Sequence, residues 1–297
     1  GVSECEHCEG MPVYISPRWE PVLKTIIPLL NNRPDVDTTI DQAFADPYTS
    51  LIRALYMYQE GALEGKVVGL LGDDDFTSVA IAYLYQGIYP DEPFFIPLKL
   101  TVFDIDDRLL KQIQAIPLVR QFPINTKHWD YRTAIPREYL NHFDTLVIDP
   151  PYSLNGLKVV LSRAAGLLRI EPGSEVYLSY AHRSASNLYE IQSMILKMGF
   201  AIQTIYPRFN EYEGGQILGN TTQLLRLVAT EHLHPLIDPN LNFEGKIYTG
   251  ELNPTIRIYY CVNCERMIPL GKNQDFHTIE ALKTAGCPFC HSDGPFE

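Results

Sequence analysis

Residues 66–85 read KVVGLLGDDDFTSVAIAYLY, and the order of residue types in that stretch sets the fold. Lys66 to Leu71 is a short apolar run of Val and Leu, the pattern of a strand buried on both faces. Phe76 to Tyr85 has the composition of the helix that follows. A strand, a tight turn and a helix start make the first unit of a Rossmann-like sheet, and that turn normally receives an anion or a nucleoside. Here the turn is Gly72-Asp73-Asp74-Asp75. Three carboxylates repel a phosphate, so the turn calls for a cation: a sulfonium nucleoside with an amine-bearing tail, or a polyamine.

Outward from this unit the pattern repeats. Upstream, Pro21 to Leu30 reads as a short helix or apolar segment, and Ala43 to Gln59 has a helical apolar face. Downstream, strands are expected over 98–103, 122–128, 143–148, 175–180, 201–206 and 222–229. Helices are expected over 108–116, 154–168 and 186–198, with Gly173 and Gly199 closing the last two. This alternation predicts an α/β fold, a Rossmann-like, mostly parallel sheet with the final antiparallel strand of the methyltransferase type. A composition shift near His234-Pro235 divides the chain into an N-terminal segment (1–45), a Rossmann-like domain (46–235) and a C-terminal extension (236–297).

The 36 acidic against 24 basic residues, a net charge of −12, argue against a nucleic-acid backbone as the main partner. No apolar run reaches the ~20 residues that span a bilayer, and no secretory signal is visible. The chain starts at Gly1 rather than Met, so a fragment or a tag scar is expected, with upstream sequence missing as a further expectation. All six cysteines fall in Cys-x-x-Cys pairs, which suits zinc in a reducing cytoplasm better than a disulfide framework. Cys261/Cys264 and Cys287/Cys290, 22 residues apart, have zinc-ribbon spacing and predict a closed, structural four-thiolate site. Cys5/Cys8 is half of a second zinc site, the edge of a missing domain, or a dimer contact, and a homodimer stays open.

In an open parallel sheet, ligands bind at the carboxyl ends of the strands, and this chain places acids there four times. Asp capping helices and turns is the plain explanation for any one of them. Four in succession converge on one cleft. Asp104, after the second strand, is suited to accept both ribose hydroxyls of a nucleoside, while Asp106 and Asp107 read as helix-start acids. Asp130 is placed to accept from an adenine amino group, with Tyr131 covering the ring. After the fourth strand comes Asp149-Pro150-Pro151-Tyr152. Its prolines fix an extended turn, so that the Asp side chain and a neighbouring carbonyl can hold an amine and aim its lone pair. This resembles the DPPY motif of methyltransferases acting on exocyclic amines.

Taken with Asp41-Gln42, GDDDFTSVAIA (72–82), FDIDDRLL (103–110), FDTLVIDPPYS (143–153), LSRA (161–164), His182-Arg183 and RFNEY (208–212), the chain resembles the branched-chain polyamine synthase family of aminopropyltransferases. The resemblance spans about residues 40 to 230. It implies decarboxylated S-adenosylmethionine as donor, methylthioadenosine as product and a polyamine acceptor such as spermidine. It also implies a carboxylate of the GDDD motif beside the reacting amine, assigned to Asp74 with Asp73 and Asp149 in support. By analogy with spermidine synthases, Asp75 is a donor contact, joined by Gly72 and Gln42. Pro150, Tyr152, His182, Asn210 and Tyr212 are candidate substrate contacts, although His182-Arg183 and 210–212 also read as hydrogen-bonded loops.

The chain departs from the family in two places. The N-terminal winged-helix domain is expected to be reduced to a remnant at CEHCEG (5–10), and the cysteine-rich tail is extra. The aminopropyl-modifying proteins of microcin C-type antibiotics offer a second acceptor, a nucleotide phosphate, with S-adenosylmethionine itself as donor. Two other readings are an S-adenosylmethionine-dependent methyltransferase, which DPPY favours and the triple Asp opposes, and a non-catalytic ribbon-docking protein, which the charge opposes.

Overall fold

Lys66–Leu71 is the central strand (β1) of a seven-stranded sheet. The computed structural model describes residues 12–90, 98–171, 173–181, 184–213, 221–252, 257–271, 274–277 and 279–296. Two helices come first, α1 (Glu20–Leu30) and α2 (Pro47–Gln59). The repeating part runs α3 (Thr77–Ile88), β2 (Leu98–Asp104), α4 (Asp107–Ala115), β3 (Ile124–His128), β4 (Thr145–Ile148), α5 (Leu154–Leu167), β5 (Glu175–Ala181) and α6 (Ala185–Lys197). Two long strands, β6 (Phe200–Glu211) and β7 (Thr221–Ala229), complete the sheet.

The strand order is β3-β2-β1-β4-β5-β7-β6. Neighbours among the first five are parallel, and β7 is antiparallel to both β5 and β6. The expected methyltransferase-type sheet is therefore present. Each parallel pair needs a crossover, and the helices supplying them cover both faces, which is why β4 and β5, and β1 from Val68 onward, are buried throughout rather than at alternate residues. One face packs Leu51, Leu55, Val79, Leu84 and Ile113 of α2, α3 and α4, with Ile26 and Leu30 of α1. The other packs Leu157, Leu161, Ile191 and Ile195 of α5 and α6.

Element ends differ from expectation where side chains or sheet contacts override the pattern. Residues 43–46 are not helical, because the Asp46 carboxylate accepts from the Thr49 N–H (2.7 Å) and starts α2 at Pro47. Helix α5 stops at Leu167, since Leu168 is extended and bridges Phe143; Gly173, at φ +94°, instead turns the chain into β5. Strand β6 runs to Glu211, taking in residues 207–211 that the sequence suggested as loop.

Beyond β7 the chain returns to the sheet. Arg163 of α5 is fully buried and donates to the carbonyls of Tyr131 (2.9 Å), Asp238 (3.0 Å) and Leu241 (2.9 Å), pinning the 238–241 segment. Ile247 then passes over the start of α5, where Gly156 leaves room: a Cβ there would lie 2.6 Å from the Ile247 carbonyl oxygen. After a short turn of helix, α7 (Thr249–Leu252), come a hairpin of β8 (Arg257–Tyr260) and β9 (Met267–Leu270), and α8 (Ile279–Ala285). These carry their own small core of Cys261, Ile268, Leu270, Leu282 and Cys287. None of the described helices is long and apolar enough to cross a membrane.

Candidate active site

The register of the sheet assembles the site. Leu71 of β1 pairs with Phe103 of β2 and Ile148 of β4, so Gly72, Asp104 and Asp149 emerge side by side at the carboxyl edge. Gly72 adopts φ +81° and its N–H donates to the Phe103 carbonyl (2.9 Å). A Cβ at this position would sit 3.2 Å from the Asp149 carbonyl oxygen, so the turn needs glycine for both conformation and space. The turn ends at Phe76, a buried residue held in the left-handed region at φ +53°.

A cleft of about 480 Å³, its open mouth included, lies over these strand ends. Gly72, Asp74, Asp104, Tyr131, Asp149, Pro150, Tyr152 and Gln42 line it, so eight of the candidates meet there. Among the described residues, its walls hold four aspartates (Asp41, Asp74, Asp104, Asp149) and no basic side chain. Carboxylate oxygens of Asp74, Asp75 and Asp149 lie within 4.8 Å of one another.

Four further candidates lie behind the wall rather than on it. Asp73 is 2 % exposed and turned into α3, accepting from the Ser78 hydroxyl and backbone N–H. Asp75, also 2 % exposed, accepts from the Ala45 N–H and from Arg53 Nη1, both at 2.5 Å. Asn210 is fully buried and accepts from Arg53 Nε (2.7 Å). Tyr212 is buried too, and its hydroxyl donates to Asp149 Oδ2 (2.8 Å). Asp130 is absent from the cleft lining, because Arg132 grips both its oxygens through Nε and Nη2 (2.7–3.1 Å). For Asp73, Asp75, Asp130 and Asn210 the geometry thus argues a framework part instead of ligand contact. His182, Arg183, Cys5 and Cys8 lie outside the described residues.

Asp104 combines both parts. Its Oδ1 accepts from the Asp106 N–H (2.8 Å) and Oδ2 from the Asp73 N–H (3.2 Å), and the residue also lines the cleft. Asp106 caps α4, as expected, through the Arg108 N–H. Burial sets the acidity of the cluster. It pushes Asp104 up to about 6, against the backbone hydrogen bonds from Asp106, Asp73 and Ile105. It pushes Asp149 up to about 7, with Asp75 adding to the effect and Arg53 opposing it. Asp74 rises well above the usual carboxylate range through burial and then the charges of Asp75, Asp149 and Asp104. Such a cluster holds an organic cation and is poised to exchange protons near neutral pH.

Sequence reasoning missed three residues. Arg53, in the middle of α2, is the buried counter-ion to Asp75 and lies 3.6 Å from Asp149. Tyr248, from the C-terminal extension, lines the cleft and is held where Glu251 accepts from its N–H (3.1 Å) and Arg132 lies 5.8 Å over its ring. Asp41, noted only as a matching residue, takes a left-handed backbone, and its Oδ2 accepts from the N–H groups of Tyr152 (3.1 Å) and Thr249 (2.9 Å). One carboxylate thereby ties together the 3-10 turn at Thr38–Ile40, the Asp149–Tyr152 loop and the extension. An Asp on a matching motif was the only available signal; the other two carried none.

The four C-terminal cysteines converge as their spacing predicts. Their sulfurs lie within 4.8 Å of one another, with Cys261–Cys290 and Cys264–Cys287 each 3.7 Å apart. That is too long for a disulfide and close to the ~3.8 Å edge of a tetrahedron built on ~2.3 Å Zn–S bonds.

Comparison with known proteins matches residues 21–260 to the family described as the branched-chain polyamine synthase A C-terminal domain. The chain belongs to the branched-chain polyamine synthase family. An uncharacterized protein of Methanocaldococcus jannaschii is 37 % identical over 268 residues, covering 90 % of this chain and 64 % of that protein. The N(4)-bis(aminopropyl)spermidine synthase of Thermococcus kodakarensis is 33 % identical over 212 residues, covering 70 % of this chain and 57 % of that enzyme. The chain therefore spans about three-fifths of the length of these relatives. The family's Thermus thermophilus member, solved with N4-aminopropylspermidine and 5′-methylthioadenosine, superposes with a TM-score of 0.70 at 23 % identity, covering 84 % of this chain and 75 % of that one. This likeness carries the fold.

Proposed function

We propose that the protein transfers a 3-aminopropyl group from decarboxylated S-adenosylmethionine to an amine of a polyamine, releasing methylthioadenosine. The observation that carries the reading is a cleft walled by four aspartates with no described cation. Such a wall binds a sulfonium and protonated amines, and it rejects both the carboxylate of S-adenosylmethionine and a nucleotide phosphate. Membership of the family and its characterised relatives point the same way. The methyltransferase reading shares the fold but requires a donor carboxylate beside Asp74.

In this scheme Asp104 takes the ribose hydroxyls, and the rings of Tyr131 and Tyr248 bracket the nucleoside end of the cleft. Asp149 and the rigid Pro150-Pro151 turn hold the acceptor nitrogen, with Tyr152 alongside. The nitrogen lone pair attacks the propyl carbon in line with sulfur. The C–N bond forms as the C–S bond breaks, and its electron pair returns to sulfur as a neutral thioether. The proton lost by the nitrogen passes to Asp74, whose raised pKa suits a general base. Most of the acceleration comes from alignment.

The four C-terminal cysteines fit a structural zinc: four thiols at tetrahedral spacing leave no open position for catalysis. A metal there would tie the β8–β9 hairpin to the end of α8 and reinforce a core of only a few side chains. Residues 1–45, 46–235 and 236–297 are the corresponding domain division.

The test is incubation with each donor and a mixed panel of polyamines and nucleotides, read by mass spectrometry. Methylthioadenosine together with an acceptor heavier by one aminopropyl group is expected. S-adenosylhomocysteine and a methylated product would overturn the assignment.

A further inference from the structure

Asp149 is approached from behind by polar groups whose donor and acceptor roles are forced. Arg53 donates only, so its Nε–H makes Asn210 Oδ1 the acceptor (2.7 Å) and fixes the orientation of that amide. The Asn210 amide nitrogen must then donate to Thr222 Oγ1 (2.8 Å). Thr222 sends its own proton to the Tyr212 oxygen (3.4 Å). That oxygen also accepts from Arg53 Nη2 (3.1 Å). With both lone pairs engaged, the Tyr212 hydroxyl has one use left for its proton, Asp149 Oδ2 (2.8 Å). Arg53 itself is held by Asp75 (2.5 Å). Arg53, Asn210, Thr222 and Tyr212 are each at least nine-tenths buried, so water does not scramble the directions.

We infer that Arg53, Asn210, Thr222 and Tyr212 form a one-way hydrogen-bond relay that holds Asp149 as an acceptor at Oδ2 and reserves Oδ1 for the substrate amine. These four are positioning residues; none reaches the cleft. The relay explains why a GDDD turn would bury its third carboxylate. Asp75 serves to anchor the arginine from which every proton direction follows. It also separates the two cleft acids. Asp74 has no such relay among the described residues, whereas at Asp149 the Tyr212 hydrogen bond opposes the burial that pushes the carboxyl up. Asp149 is faced by Asp74 and Asp75 from the β1–α3 turn, Arg53 from α2, Tyr212 from β6 and Tyr152 from its own loop. Tyr212 is the contact that can be removed without changing a charge.

The aminopropyl-transfer part of this inference rests on the proposed function; the relay itself does not. The test is therefore run first on the free protein. Carboxyl carbons are labelled with 13C in aspartate and titrated by NMR, with Asp149→Asn identifying the Asp149 signal. Tyr212→Phe should raise the Asp149 midpoint by about one pH unit, the size of one hydrogen bond to a charged oxygen. Thr222→Val, more remote and nearly isosteric, should raise it by a smaller amount. It also answers alone if Tyr212→Phe fails to fold. An Asp149 midpoint unmoved in the folded variants would overturn the relay. In turnover, Tyr212→Phe should move the acid limb of kcat/KM for the acceptor upward with donor KM unchanged. A uniform loss at every pH would mark a purely structural part and also overturn it. A wild-type protein that transfers no aminopropyl group would refute the functional reading instead, and the NMR titration would still decide the relay.

Discussion

Asp74→Asn should make the free protein more stable at neutral pH while removing most of its turnover. Asp74, Asp75 and Asp149 present carboxylate oxygens within 4.8 Å of one another. At an effective dielectric of about 20, each such pair of charges repels by about 3.5 kcal/mol. Burial and then the charge of Asp75 raise the Asp149 carboxyl from 3.8 to about 7, so this neighbour contributes to the same pH dependence. Arg33 and Arg53 offset part of the repulsion, which leaves a gain of about 2 kcal/mol, or about 3 °C in Tm for a chain of this size. The folded pKa values are raised, so the folded state binds more protons than the unfolded one across the window from about 4 to about 7. Stability is present below that window and is lost as pH rises through it. The gain from Asp74→Asn should accordingly be near zero at pH 4 and grow towards pH 7. The Asn oxygen can still accept from the Ala43 N–H, as Asp74 does (3.3 Å), so the turn is preserved. Differential scanning calorimetry from pH 4 to 8, with and without spermidine, makes the measurement. Spermidine should raise the wild-type Tm more than that of the variant. A variant less stable than wild type at pH 7, or a gain independent of pH, would refute the electrostatic reasoning, and near-normal turnover would refute the role of Asp74.

Three further outcomes are expected. Tyr248→Ala should weaken methylthioadenosine binding by about tenfold in calorimetric titration, the value of one aromatic face, while Tyr248→Phe should bind almost normally. Cys287→Ser should lower the zinc content of the purified protein, read by atomic emission against an expected one zinc per chain, and expose the 257–296 segment to proteolysis while the sheet stays folded. Arg163→Met should lower stability by about 3 kcal/mol in urea denaturation, because the carbonyls of Tyr131, Arg132, Asp238 and Leu241 lose a fully buried donor.

What the sequence determined by itself was local and periodic. An apolar run followed by a turn and a helix places a strand with its carboxyl end named, so Asp74, Asp104 and Asp149 could be assigned to one edge of the sheet before any coordinates. The cysteine tetrad was legible for the same reason: close spacing within each pair leaves few ways to arrange four thiols. Which acid faces the cleft was decided only by tertiary structure. Asp73, Asp74 and Asp75 are neighbours of one type, yet one caps α3, one opens to the cleft and one grips Arg53. Arg53 meets Asn210 and Tyr212 across 157 and 159 positions, and Asp41 meets Thr249 across 208. Side-chain direction and pairings over such distances depend on how the helices pack onto the sheet, and no spacing rule along the chain encodes them.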